Sequence, residues 1–292
     1  MADTREKWIA GGVRTHLAGT EYRIFVRVDG PESGSPVTLL HGFPSSSHDW
    51  ATVLPFLTEA GFRVTTVDFL GFGESDKPAR HQYSLREQAD IVEAAWDAGG
   101  VTSTALVAHD YGVSVAQELL ARDPGRITSM SWLNGGLFPD LHRPTRGQRL
   151  LHGRLGPLFA RVFNEKRFGP SIREVFGRPV SDEMVHEMWL SLDARGGTRV
   201  APRLLRYIDE RREHAAVWAS ALATYAGPQQ FIWGPADPVS GAHVLPRIRE
   251  LAPNAQVTVL DDGQPVGHYP QLEAPELVGP LLVDFLTSAG HS

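Results

Sequence analysis

Asp110 lies in the run Leu106-Val107-Ala108-His109-Asp110-Tyr111-Gly112, where an apolar stretch ends in small-x-Asp-x-small and a helix-like stretch follows. The frame is that of the nucleophile elbow G-x-S-x-G, with Asp in place of Ser and Ala108 in place of the first Gly. Small flanking residues are required because the turn is tight, and it presents the central side chain at the carboxyl edge of a sheet, where α/β folds place their ligands. An Asp just ahead of a helix can also be a simple N-cap, so this motif alone leaves both readings open. Asp237 ends an apolar run in a Gly/Pro turn, Phe231-Ile232-Trp233-Gly234-Pro235-Ala236-Asp237-Pro238. It fits the acid that orients a catalytic histidine, or else a turn-forming Asp-Pro. His268 lies in the loop Asp261–Pro270, ahead of the last helical stretch. With 12 histidines in the chain a lone His carries little weight. The order nucleophile, acid, histidine at 110, 237 and 268 is what singles it out from a surface loop histidine.

A carboxylate nucleophile is already ionised at neutral pH and needs no base to attack. It suits displacement at a saturated carbon and leaves an ester on Asp110 itself, which His268 would hydrolyse by activating water. The second step needs an oxyanion hole. The run Leu39-Leu40-His41-Gly42-Phe43-Pro44 follows the strand from which the second donor comes, so the backbone N–H groups of Phe43 and Tyr111 are assigned to it. Pro44 has no N–H to give. His41 is expected to bond backbone within its loop. Gly71-Phe72-Gly73 lacks the third glycine of a dinucleotide fingerprint, and His186-Glu187 lacks the closing histidine of a zinc motif, where Leu190 stands. No metal and no cofactor are therefore expected.

These residues need a sheet to carry them. Strand-like runs at Val13–Leu17, Tyr22–Val28, Val37–His41, Val64–Phe69, Ala105–His109, Ile127–Leu133, Gln230–Trp233 and Val257–Leu260 alternate, from the third on, with helix-like runs. The spacing predicts helices over 49–60, 112–122, 243–251 and 276–288. Ser84 with Glu87 reads as a capping box opening a helix to about Ala98. Such alternation implies an α/β fold with a mainly parallel central sheet covered by helices on both faces. Between the sixth and seventh strands, Phe138–Leu222 is helical and Arg-rich. The chain thus divides into a core domain, 1–137 with 223–292, and a helical cap, or lid, over 138–222. Phe138, Phe159, Phe163, Phe176, Trp189 and Trp218 are candidates to line an apolar pocket under that lid, although aromatics in helices also serve simply as packing.

Composition narrows the classes further. The 292 residues are 42% hydrophobic, enough for a sizeable core. The net charge is -6 and the basic residues form no long run, so nucleic acid is not an expected partner. There are no cysteines, which excludes disulfides, thiolate metal sites and a Cys nucleophile. The first dozen residues, with Asp3, Arg5, Glu6 and Lys7, hold no apolar stretch of signal-peptide length. No run of 18 apolar residues occurs, so no membrane span is expected and a cytoplasmic location is the default. The expected partner is a small apolar substrate.

The segments HGFPSSSHDW (41–50), DFLGFGESDKP (68–78), HDYGVSVAQELL (109–120), NGGLFPDLHRP (134–144), GPADPV (234–239) and GHYPQLEAP (267–275) resemble the Asp-nucleophile branch of the α/β-hydrolases. That branch holds epoxide hydrolases and haloalkane dehalogenases, and within it the likeness runs to the mesoderm-specific transcript proteins and their bacterial relatives. The resemblance implies Asp110 as nucleophile, Asp237 as acid and His268 as base. It also implies ring opening of an epoxide by a lid tyrosine, for which Tyr207 is the one candidate between 138 and 222; the alternative for Tyr207 is helix packing. Haloalkane dehalogenases typically carry a polar residue after His-Gly and a Trp after the nucleophile; Phe43 and Tyr111 stand there. Hydrolysis of an apolar epoxide to a diol is thus the leading expectation. Carbon–halide hydrolysis is the second, and a catalytically idle binding protein on a hydrolase scaffold is the third.

Overall fold

The computed structural model describes residues 4–290; Asp3, counted above in the charged N-terminal stretch, lies outside them. Eight strands form one sheet: β1 Val13–His16, β2 Arg23–Asp29, β3 Pro36–Leu40, β4 Arg63–Asp68, β5 Thr104–Asp110, β6 Ile127–Gly135, β7 Gln229–Trp233 and β8 Gln256–Val259. Their spatial order is β1-β2-β4-β3-β5-β6-β7-β8. β1 and β2 pair antiparallel, as do β2 and β4, and every other pairing is parallel. β5 is central, and all seven of its residues are buried. That is why it reads as a nearly unbroken apolar run rather than an alternating one.

Helices α1 Arg5–Ala10, α2 Leu54–Glu59, α3 Leu85–Ala98 and α4 Tyr111–Arg122 precede β6. Between β6 and β7 come α5 Arg146–His152, α6 Gly156–Ala160, α7 Glu165–Arg173, α8 Asp182–Asp193, α9 Gly197–Leu204 and α10 Tyr207–Thr224. The last three are α11 Leu245–Leu251, α12 Pro270–Glu273 and α13 Pro275–Ser288. Two buried apolar clusters result. One holds Trp50, Val53 and Leu57 with Val278, Leu282 and Phe285. The other holds α3, α4 and much of the lid. Among the described residues no helix is long and apolar enough to cross a membrane.

Two local expectations are corrected, and one element had none. The single helix over 49–60 is a 3-10 turn, Ser47–Trp50, followed by α2. Pro55 explains the break, because it has no N–H for the i−4 carbonyl and sits in the first turn of a new helix. The capping box at α3 forms by half: Ser84 Oγ accepts from Glu87 N, but the Glu87 carboxylate is drawn away to His81 Nε2 at 2.8 Å. The N-terminal helix α1 carried no sequence signal. It forms around Trp8, whose indole N–H donates to Ser47 Oγ and whose ring is covered by Arg27.

The run 68–78 organises the loops around the site. Asp68 accepts from Ser47 N at 2.8 Å and from Glu74 N at 2.7 Å. Gln88 bonds both backbone groups of Leu70. The elbow is held as tightly: Gly112 N donates to His41 O at 2.9 Å. A Cβ on Gly112 would stand 2.6 Å from Leu40 O and 2.8 Å from His41 O. Both neighbours are strand and loop backbone, which cannot move aside as a side chain can. Gly112→Ala is accordingly expected to cost about 1–3 kcal/mol through overpacking, measured as a lower urea midpoint at unchanged slope; an unaltered midpoint would show that the elbow has slack.

Candidate active site

Asp110 closes β5 and turns the chain into α4 with φ 44° and ψ −105°. A non-glycine residue in that region is strained by about 1–3 kcal/mol and persists only where its surroundings impose it. The imposition is visible. Gly42 passes so near that a Cβ there would lie 2.8 Å from the Asp110 Cβ, and Gly112 is fastened to the His41 carbonyl. The carboxylate makes no capping hydrogen bond to α4, which disposes of the N-cap alternative. Instead Asp110 Oδ2 accepts from Phe43 N at 2.9 Å, and Oδ1 lies 3.5 Å from His268 Nε2. Tyr111 is the first residue of α4, where backbone N–H groups lack intrahelical partners. Its buried ring packs against Phe69 and Phe72.

His268 donates from Nδ1 to Asp237 Oδ2 at 2.8 Å. The same oxygen accepts from Ser240 Oγ at 2.7 Å and Asn134 Nδ2 at 3.1 Å, while Oδ1 accepts from Val239 N at 2.7 Å. Asp237 is therefore both things proposed for it, a turn former through Val239 and the partner of His268. The His268 loop is fixed from several sides. His268 N donates to Val175 O in the lid, and His268 O accepts from His109 Nε2. Glu273 gathers the N–H groups of Gly177, Arg178, Gly267 and Tyr269. His41 bonds backbone, as its loop position implied: Nδ1 to Gly42 O at 2.8 Å, and Nε2 as acceptor from Phe69 N at 3.2 Å. Nδ1 therefore carries the proton.

Charge settles the resting state. Burial works to lower the pKa of His268, but the Asp237 charge and the hydrogen bonds of Asp110 and Asp237 together raise it to about 10. Burial works to raise Asp110, but the His268 hydrogen bond and charge, then Arg211 and His109, hold its carboxyl well below the usual range. Asp237 is likewise lowered against burial, His268 again being the main partner. The site thus rests as an imidazolium between two carboxylates.

Tyr207, at the start of α10, comes down beside this array. Its ring meets Tyr111 edge-on at 5.0 Å and lies 6.5 Å from that of Phe43. The phenol is buried, and its hydroxyl has no hydrogen-bond partner. One turn on, Arg211 is also buried. It donates from Nε to Ser114 Oγ at 2.6 Å and from Nη2 to the Asp110 carbonyl at 3.3 Å, with its guanidinium over the Tyr207 ring. Arg211, Asn134, Ser240 and Glu273 were not singled out from sequence. Only Arg211 had a usable signal, the i,i+4 spacing that puts it on the same helix face as Tyr207.

A cavity of about 70 Å³ reaches His268 and Phe43 beneath α5, α7 and α9. It is apolar at Phe168, Ile172 and Leu192 and polar at Thr145, Gln148, Ser171 and Thr198. Of the aromatics expected to line it, the structure brings only Phe163 to its wall. Phe159 and Trp189 pack on Phe163, Phe176 stacks on Tyr269, and Phe138 is covered by Arg247. Trp218 turns towards α4, its indole N–H donating to Glu118 at 2.8 Å.

Comparison with known proteins agrees with this architecture. The family model described as alpha/beta hydrolase fold matches residues 35–275. The mesoderm-specific transcript homolog protein of Bos taurus is 44% identical over 269 residues, covering 87% of this chain and 79% of that protein. The putative hydrolase LipZ of Mycobacterium tuberculosis is 39% identical, covering 87% and 88%. A haloalkane dehalogenase of Psychrobacter cryohalolentis is 27% identical, covering 91% and 88%. In three dimensions, haloalkane dehalogenase DbeA from Bradyrhizobium elkani superimposes with a TM-score of 0.81 at 21% identity, covering 96% of this chain and 98% of that one. With its eight-stranded sheet, its elbow at Asp110 and a family match over most of its length, this chain belongs to the alpha/beta hydrolase fold family.

Proposed function

We propose that this protein is a hydrolase working through a covalent ester on Asp110, and that it opens a small epoxide to a diol. The observation that carries the reading is the ionised Asp110 carboxylate at the elbow, with the Phe43 N–H on one oxygen and His268 facing the other. One carboxylate oxygen attacks a ring carbon from the side opposite the C–O bond that breaks. The new bond is the ester, and the ring oxygen departs as an alkoxide still tethered to the substrate. Tyr207 is the donor for that oxygen. Ester formation neutralises Asp110 and so removes one of the two carboxylates that hold His268 protonated. Its pKa falls, its proton passes, directly or through water, to the Tyr207 phenolate left by ring opening, and the neutral imidazole becomes a base for water. Attack on the Asp110 carbonyl makes an oxyanion facing the Phe43 and Tyr111 N–H groups, each such donor being worth about 2.7–4 kcal/mol. Collapse of that intermediate releases the diol.

Carbon–halide hydrolysis is the second reading, favoured by the relatives named as haloalkane dehalogenases. Against it stand Phe43 and Tyr111, neither of which offers a side-chain N–H to a halide. A panel of epoxides, haloalkanes and p-nitrophenyl esters separates the readings, and an idle binder would turn over none of them.

In His268→Gln the first half-reaction survives and the second does not. Intact-protein mass should rise by the mass of one epoxide, and peptide mapping should place the adduct on Asp110. An unmodified variant, tested with a substrate that the wild type consumes, would remove His268 from the role. The two half-reactions should also part in pH. Alkylation is expected to be flat from about pH 6 to about pH 9, because Asp110 stays ionised throughout. Ester hydrolysis should climb with pH along a one-proton limb with its midpoint below 10, since His268 must lose its proton and has only Asp237 left to retain it. Rapid quench measures both; hydrolysis that is indifferent to pH would contradict the base assignment. Finally, Tyr207→Phe should slow alkylation by an epoxide about 10²–10⁴-fold, the usual range of general-acid help. Equal rates would make Tyr207 lid packing only.

A further inference from the structure

Arg211 is a guanidinium buried to 1% exposure. Among the described residues no carboxylate stands within ion-pair range of it, although charges withdrawn from water ordinarily require a partner. Its Nη1 has no hydrogen-bond partner, and neither has the Tyr207 hydroxyl one turn back. Orphaned buried donors call for an explanation, and here two of them lie next to the nucleophile. The site is also shaped for the guanidinium: a Cβ on Gly136 would fall 2.1 Å from Nη1 and 2.5 Å from Cζ.

The remaining contacts of Arg211 show what it is attached to. Nη2 donates to the carbonyl of Asp110, the strained elbow residue itself, and Nε to Ser114 one turn along α4. The guanidinium carbon lies 4.3 Å from the centre of the Tyr207 ring. Arg211 is therefore carried by the lid but bonded to the core; its charge helps to hold Asp110 low, and it opposes the burial and the Asp110 charge that together push the Tyr207 phenol up. Its neighbour His142, with neither ring nitrogen hydrogen-bonded, is held neutral, since burial and then Arg211 itself push its pKa down to about 4. Glu210, the acidic residue beside Arg211 in the chain, is turned away to the backbone of Leu85 and Arg86.

The charges of the reaction then balance around Arg211. At rest Asp110, Asp237 and the imidazolium sum to −1, and Arg211 brings the buried set to zero. Alkylation removes the charge of Asp110 and creates one on the departing oxygen, so the uncompensated cation and the new anion appear together. We infer that Arg211 is a positioning residue for ring opening: from the lid it holds the elbow carbonyl, fixes the Tyr207 phenol over the nucleophile and polarises that phenol toward giving up its proton. The proton moves from Tyr207 to the alkoxide, and the phenolate left behind is the anion that Arg211 then faces. This inference rests on the covalent mechanism proposed above.

The test is single-turnover alkylation of Asp110, followed by mass, with two probes: a terminal epoxide and a primary alkyl iodide. Iodide leaves as a stable anion and needs no proton. Arg211→Met should slow the epoxide reaction about 10²-fold, within the range of general-acid effects, and the iodide reaction less than about threefold by the same reasoning. Arg211→Lys, which keeps the charge, should recover part of the loss. In the Tyr207→Phe background, Arg211→Met should add almost nothing for the epoxide. Ser114→Ala, which frees one guanidinium anchor without removing the cation, should shift the epoxide rate in the same direction by less, and serves if Arg211→Met does not fold. Equal losses with both probes, or additive losses in the double variant, would overturn the inference by making Arg211 a structural tie alone. If the wild type forms no Asp110 adduct with either probe, the covalent mechanism itself fails and this inference falls with it.

Discussion

A protonated imidazole lying between two buried carboxylates, 2.8 Å from Asp237 and 3.5 Å from Asp110, sets the terms for everything around it. Removing three ionised groups from water is costly unless each is hydrogen-bonded by its neighbours. The neighbours supply those bonds: Ser240, the Val239 N–H and Asn134, which also ties the Gly234 backbone, serve Asp237, and the Phe43 N–H serves Asp110. The elements follow the same need. β5, β6 and β7 end at one edge of the sheet, and each end delivers one member or one support of the array. In the mechanism proposed here chemistry and fold are coupled through electrostatics, because an ester on Asp110 withdraws part of what keeps the imidazole charged.

Arg211 extends that coupling into the lid. Lid helices are commonly joined to their cores by apolar packing, and much of this one is: Leu204, Leu205 and Leu222 are all buried in the large cluster. The Arg211 contacts with Ser114 and the Asp110 carbonyl add a polar joint at the most strained point of the core. A lid attached there bears directly on the geometry of Asp110.

How much of this was legible in the sequence depended on the range of the signal. The strands, the sheet class and the helical block between β6 and β7 follow from periodicity, which is local. Asp110, Asp237 and His268 are legible because each follows the end of a strand, Asp110 at a turn into a helix and the other two in loops, positions marked by their own neighbours. The contact from Arg211 to Ser114 spans 97 positions, and that from Asn134 to Asp237 spans 103; no local pattern announces such contacts. The cavity wall failed for a related reason. Aromatic residues in a helical block are candidates for a pocket wall, but nothing local says that a carboxylate on α4 holds Trp218 or that the half-buried Trp189 packs on Phe163 and Phe168. At α3 a local rule was outbid by a neighbour, when His81 took the side chain that the capping box needed.

The Glu273 carboxylate joins two places that the chain keeps far apart. It receives the N–H groups of Gly177 and Arg178, between α7 and α8, and those of Gly267 and Tyr269 on either side of His268. His268 N adds a bond to Val175 O. The lid is therefore pinned near its midpoint to the loop that bears His268, and pinned again at Arg211. Such a lid does not lift as a plate on two end hinges without dragging the imidazole along. The stretch ahead of the first pin, α5 to α7, is the part of the lid that these bonds leave free, and it forms much of the wall of the 70 Å³ cavity.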